Sequence, residues 1–153
     1  MKRRGAIDLT PAERRAFLEQ SKTVILSSID QRGYPHSIAM WYVVDPDGSV
    51  LMTTYAKSQK AMNIRRDPRV SLLVESGASY STLKGVLIRG DAQLVEDLDT
   101  RLAVLSRVHE KMAGAFPAGV QDALLRQASK RVVIQVAPKR ISSWDHSKLE
   151  GRY

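Results

Sequence analysis

Two short turn signatures constrain the fold of this chain more than anything else in it. Asp30-Gln31-Arg32-Gly33 and Asp45-Pro46-Asp47-Gly48 each pair an aspartate, which bonds its own backbone, with a glycine that accepts positive φ. Runs of strand character flank them, at residues 23–29, about 36–44 and 49–55. Strands joined by turns this short are antiparallel neighbours, because a parallel pair needs a crossover of a dozen residues or more. A doubly wound parallel sheet is therefore excluded for this part of the chain.

The remaining elements extend that plan. Thr10-Pro11-Ala12-Glu13 is a capping box with proline at the first helical position. It predicts a helix over Pro11–Gln20 that buries Phe17 and Leu18. Ser58 is placed to N-cap a helix over Gln59–Arg66, which Asp67-Pro68 ends. Strands are predicted over 70–75 and about 85–95, with a polar loop over 76–82 between them. Gly90 inside the second marks a bulge or a bend. Asp97 caps a helix whose apolar positions, Leu98, Leu102, Leu105 and Val108, repeat near 3.6 residues. Gly114-Ala115-Phe116-Pro117 breaks it, and a short helix follows over 120–129. A last strand over 132–136 continues past Pro138 toward Trp144. Six strands with few helices between them predict a mainly β fold, a six-stranded antiparallel barrel with helical insertions, in a single domain over 1–153. Residues 1–8 read as a basic, solvated tail and 145–153 as a polar, irregular one.

Composition narrows the class. The chain is 43% hydrophobic and 26% charged, as globular domains are. No run of eighteen apolar residues occurs, so no membrane span is expected. The basic start, Met1-Lys2-Arg3-Arg4-Gly5, leads into no apolar segment, so no secretory signal is read. Cysteine is absent, which removes disulfides, thiolate nucleophiles and cysteine metal sites together. A cytoplasmic protein is expected. The formal net charge of +8 calls for an anionic partner: nucleic acid, a lipid surface, or a cofactor with several acidic groups.

The basic residues cluster most at one place. From Lys57 to Arg69 there are five cations against one acid, Asp67. Just before them stand Thr53 and Thr54, and Ser58 caps the helix that follows. The first amides of a helix, with its dipole, favour an anion. Lys57 and Lys60, three apart, flank that end and can reach one phosphate, and Arg65 or Arg66 is one to two turns on. The same residues also suit a capped amphipathic helix with a solvated basic face. No glycine-rich loop is present, so this is neither a Walker nor a Rossmann site. His36, His109 and His146 lack metal-ligand spacing. Asp145 beside His146 is not a catalytic pair, because neighbours on extended chain point apart. No nucleophile elbow exists.

Lys57-Ser58-Gln59-Lys60 with Asn63, followed by Asp67-Pro68-Arg69-Val70-Ser71-Leu72-Leu73-Val74, resembles the signature of the flavin- and deazaflavin-binding split β-barrels, the pyridoxamine-phosphate-oxidase-like proteins. Three further segments agree: His36 to Tyr42, Lys84 to Ala92, and Ser143 to Leu149 with its Trp-Asp-His. The last is similar to the branch that uses the deazaflavin coenzyme F420 rather than FMN. Gln59 stands where FMN-using oxidases commonly have arginine.

The resemblance implies an FMN-binding-type split barrel and a homodimer with two cofactor sites at its interface. Lys57, Ser58 and Lys60 would take the cofactor's phosphate, with Thr53 and Thr54 close by and Gln59 and Asn63 in the same block. Met40, Trp41 and Tyr42 would run along the ring system, and Trp144 would wall it. The implied activity is an F420-dependent reductase that passes hydride to a conjugated electrophile: an enone, quinone, tetrapyrrole or nitro-aromatic. Solvent, Tyr42 or Lys57 would supply the proton. The alternative keeps the fold with FMN, as an oxidase or flavin carrier. A non-enzymatic basic barrel binding nucleic acid comes last, for want of aromatic residues and of any RNA-binding signature.

Overall fold

The computed structural model describes residues 3–114 and 119–151. Seven strands form one antiparallel sheet: β1 Thr23–Ile29, β2 Pro35–Trp41, β3 Val43–Val44, β4 Val50–Tyr55, β5 Arg69–Ser76, β6 Lys84–Val95 and β7 Arg131–Asp145. Their order is β2-β1-β5-β6-β7-β4-β3. The two outermost strands, β2 and β3, are separated in the chain by Tyr42 alone. In a flat sheet, six interstrand spacings would hold these edges about 29 Å apart, far beyond the reach of one residue. The sheet therefore curls on itself, a barrel split along the seam at Tyr42. The expected six strands become seven because the second breaks there.

Alternation along the strands builds the core. Val24 and Leu26 of β1, Val70, Leu72 and Val74 of β5, Val86 and Ile88 of β6, and Ile134 and Val136 of β7 all turn inward and are buried. Helix α2, Pro11–Gln20, starts at the capping box, with Glu13 N donating to Thr10 Oγ1 at 3.2 Å and Thr10 N to Glu13 at 2.7 Å. It adds Phe17 and Leu18 to this core. Tyr42 has no exposed surface and donates its hydroxyl to Leu18 O at 2.6 Å, which fixes the seam to the helix.

Helix α4, Leu98–Ala113, packs Val104 and Val108 against Val43, Leu51 and Val133. Helix α5, Gln121–Ser129, rests on α4 through Leu105, Leu124 and Ala128. Of the apolar positions read on α4, Leu105 and Val108 are buried, Leu102 is partly buried, and Leu98, the first residue of the helix, is exposed. The break between α4 and α5 falls mostly on residues 115–118, outside the described residues.

Gly90 marks a bulge, as its position in the strand suggests. The β6/β7 register shifts between Arg89 and Gly90, and a Cβ on Gly90 would lie 2.4 Å from Ala137 O. Both tails differ from expectation. Arg3–Ile7 forms a short helix, α1. Asp145 completes β7, and His146–Leu149 is a 3-10 turn. The two ends hold one another: Lys148 donates to Asp8 O at 2.9 Å and to Glu13 at 2.7 Å, and Leu9 N donates to Ser143 Oγ at 3.1 Å.

Candidate functional site

Strand β4 ends at Tyr55 and the chain turns at once into α3, Gln59–Arg66. Ala56 N donates to Lys130 O at 3.0 Å, and Ser58 N to Tyr55 O at 3.0 Å, so the turn is tied to the start of β7. Ser58 adopts the extended N-cap conformation, and its Oγ accepts from Ala61 N at 3.3 Å. Thr54, almost fully buried, donates its hydroxyl to Ser58 Oγ at 3.1 Å. The cap therefore has a rigid support, and the amides of Gln59 and Lys60 at the helix start have no intrahelical acceptor.

Pairing of β4 with β7 sets Tyr55 opposite Arg131. The Arg131 guanidinium stands 4.5 Å from the Tyr55 ring centroid. Its Nη1 reaches Thr53 Oγ1 at 3.4 Å, while its Nε is buried and has no partner. Lys60 is half-buried; burial, then the charge of Arg131, holds its ammonium below the usual lysine pKa. Two cations are thus held close enough together to repel one another.

The cleft beside this junction has a volume of about 660 Å³ and is lined by Tyr55, Ala56, Lys57, Lys130 and Arg131, among others. Its one acid, Glu96, faces Arg65 at 3.5 Å. Arg101, also on its wall, donates to the carbonyls of Ala128, Ser129 and Arg131. Among the described residues, Lys57, Lys60, Lys130 and Arg131 form no ion pair with a carboxylate. Their donors, and the orphaned Arg131 Nε, suit a multiply charged oxyanion. A phosphate-bearing coenzyme fits these residues.

The other predicted residues divide. Gln59 donates to Asn63 Oδ1 at 2.7 Å. Asn63 is fully buried and donates to Ser28 Oγ at 3.1 Å, so it pins α3 to β1 and offers nothing to a ligand. Arg65 and Arg66 cap backbone carbonyls, of Ala56 at 2.8 Å and of Ile29 at 2.7 Å. Tyr42 is a correction: it neither reaches a ring system nor supplies a proton, because it lies inside the barrel with its hydroxyl engaged. Burial also pushes its phenol well above the ordinary tyrosine pKa.

Met40 is half-buried against the core, and Trp41 is half-exposed on β2. Trp144 covers Gly85, where a Cβ would lie 2.3 Å from its ring. None of these three lines the cleft, and of the predicted block only Lys57 does; Thr53, Thr54, Ser58, Gln59 and Lys60 lie outside its lining. Asp145 bonds Lys84 and Ser147, whereas His146 Nδ1 is 2.9 Å from Tyr80 O, so the two form no dyad. No group of three or more His, Cys, Asp or Glu converges among the described residues. Lys130 and Arg131 escaped sequence reasoning because only the pairing of β7 with β4 brings them to the junction.

Comparison with known proteins places this architecture. The family described as "Pyridoxamine 5'-phosphate oxidase" matches residues 10–145. A solved structure of a conserved hypothetical protein, Rv2991 from Mycobacterium tuberculosis, superposes with a TM-score of 0.91 at 40% identity, over 98% of this chain and 93% of that one. A structure described as an F420 reductase gives a TM-score of 0.66 at 25% identity, over 84% of this chain and 94% of that one. Among curated proteins, the non-canonical heme oxygenase HOZ of the Arabidopsis thaliana chloroplast is 30% identical over 151 residues. The chain spans about half of that relative's length, 47%.

Proposed function

From the premise that the chain belongs to the pyridoxamine 5'-phosphate oxidase family, we propose that it is an F420-dependent reductase of a conjugated, electrophilic small molecule. The observation that carries this reading is the set of unpaired cations at the β4–α3 junction. F420 bears a phosphodiester and an oligoglutamate tail, and a protein of net charge +8 suits that charge better than it needs to suit FMN. The F420 reductase among its structural neighbours supports the choice, and the heme oxygenase relative keeps tetrapyrroles among the acceptors. When bound, the coenzyme supplies two-electron hydride chemistry.

The chain's own residues bind and orient. Lys57, Lys60 and Arg131 neutralise the anionic group, while Ser58 and the first amides of α3 direct it. Thr54 fixes Ser58, and Tyr55 fixes Arg131. With Tyr42 sealed in the core, Lys57 or solvent remains to deliver a proton.

The active form in this reading is a homodimer. Arg131 and Trp144 stand near opposite ends of β7, about 43 Å apart along an extended strand, so one coenzyme touches both only with a second copy supplying one of them. Strand β2, exposed at Ile38 and Trp41, offers an edge for that contact.

Titration of the purified apo-protein with F420 and with FMN in one buffer tests the proposal. Tighter F420 binding, weakened by about 2–5 kcal/mol in Lys57→Ala/Lys60→Ala, is the expected result. Preference for FMN moves the assignment to a flavin protein, and unchanged affinity in the double variant rejects the cradle. Sedimentation at micromolar concentration should show a dimer.

A further inference from the structure

We propose that Lys111, in the cleft between α2, β3 and α4, is a nucleophilic lysine that accepts an acyl group from a small acyl phosphate. Glu19, Val43, Val44, Arg107, Glu110 and Lys111 line that cleft, which encloses about 270 Å³. That is less than the sites of drug-sized ligands hold, and it suits an added group of a few atoms. Neither Trp144 nor any residue of the coenzyme cleft lines it, so the site does not depend on the assignment of F420.

The ammonium of Lys111 has few partners. Its Nζ stands 3.9 Å from the Tyr42 ring centroid and donates to Leu18 O at 3.4 Å. That carbonyl already accepts the Tyr42 hydroxyl at 2.6 Å, so what it gives Lys111 is long and shared. Among the described residues Lys111 forms no ion pair with a carboxylate. Glu19 pairs with Arg15 instead, and Glu110 is exposed. Arg107 is held by Asp45 at 2.6 Å and by Val44 O at 3.1 Å. Tyr42 stays neutral, its phenol raised by burial. A half-buried, poorly partnered ammonium is costly, which favours the neutral amine. Burial brings the pKa of Lys111 down to about 8, with the charge of Glu19 pulling the other way. A desolvated lysine of this kind is a nucleophile near neutral pH.

The charge of the product selects the electrophile. Carbon dioxide would leave a carbamate anion beside Glu19 and Glu110, whereas an acyl group leaves a neutral amide. The amide keeps one N–H for Leu18 O and takes the cation off the Tyr42 ring. In the transfer, the neutral amine attacks the carbonyl carbon of the donor. The bond from that carbon to the phosphate oxygen breaks, inorganic phosphate leaves with the electron pair, and the amine's proton passes to solvent. Nothing is oxidised or reduced. The net charge of +8 draws an anionic donor of this class to the protein.

The test incubates the whole protein with acetyl phosphate between pH 7 and 9 and follows each lysine by peptide mass spectrometry. At pH 8 about half of Lys111 is free amine, against about 0.4% of an ordinary lysine. Its lower basicity takes back part of that advantage, so acetylation about tenfold faster than at the exposed Lys22 and Lys130 is expected. The rate at Lys111 should level off above about pH 8, while those at Lys22 and Lys130 go on rising. Glu19→Gln should speed Lys111 at pH 7 and leave Lys60, the other lysine held below its ordinary range, unchanged. Acetylation of Lys111 no faster than of Lys22 and Lys130 overturns the proposal. So does a Lys111 rate that still climbs about tenfold per pH unit above pH 8, or a Glu19→Gln variant in which Lys111 is no faster or Lys60 changes with it.

Discussion

Replacing Lys60 with methionine should stabilise the empty protein and weaken its hold on an anion. Lysine and methionine have nearly equal helix propensity, so the change isolates the charge. In the fold that charge is half-buried, lacks a carboxylate, and sits close enough to Arg131 to lower its own pKa. Two unit charges 4 Å apart interact by about 1 kcal/mol in water and about 4 kcal/mol at the effective dielectric of a protein surface. Lys60 is partly solvated, so the screened end of that range applies, and relief of about 0.5–1 kcal/mol is expected. For a domain of this size that is a rise in Tm of about 1–4 °C. With ligand the sign reverses, because a charge-assisted hydrogen bond contributes about 1.5–3 kcal/mol, and its loss weakens binding about 10–150-fold. Thermal unfolding of native and Lys60→Met protein, with and without saturating pyrophosphate, reads both effects. A lower Tm in the empty variant, or an undiminished pyrophosphate shift, would refute the reasoning.

Three further outcomes follow from the same contacts. Ser58→Ala removes the N-cap of α3 and leaves the buried Thr54 hydroxyl without its acceptor; it should cost about 0.5–2 kcal/mol by urea unfolding, and no loss would mean the cap is idle. Gly85→Ala sets a methyl inside the Trp144 ring; the ring must swing out, with a red-shifted emission in a Trp41→Phe background and a loss of about 1–3 kcal/mol, and an unmoved spectrum would contradict the contact. Lys111, 3.9 Å from the Tyr42 ring centroid, has its pKa lowered to about 8, chiefly by burial. Because its folded pKa lies below the unfolded one, the unfolded state binds more protons above about pH 8, so this residue's contribution to stability should rise from there toward pH 10.5. Lys111→Met should remove that rise from a pH series of Tm values, and identical pH profiles would contradict it.

Much of the fold was legible because it rests on local chemistry. The two Asp-to-Gly turns, the Thr10–Glu13 box and the Ser58 cap each act within a few residues, and each appears where the sequence puts it. The break at Tyr42 was not legible, since it follows from the closing of the sheet, a property of seven strands together. The helical N-terminus escaped for a similar reason: it packs on the far end of the chain. At the site, the Lys57-Ser58-Gln59-Lys60 block was readable, but Asn63 and Tyr42 were assigned to the ligand when the barrel uses them internally. Arg131 was invisible because its role comes from a partner strand, where Thr53 is 78 residues away in the chain.

The central claim is that the β4–α3 junction, with Arg131, holds the anionic group of a redox coenzyme. A crystal of the protein grown with F420 tests it most directly. The account predicts phosphate density within hydrogen-bond reach of Ser58, Lys60 and Arg131. Density for that group elsewhere, with those side chains turned away from it, would contradict the account.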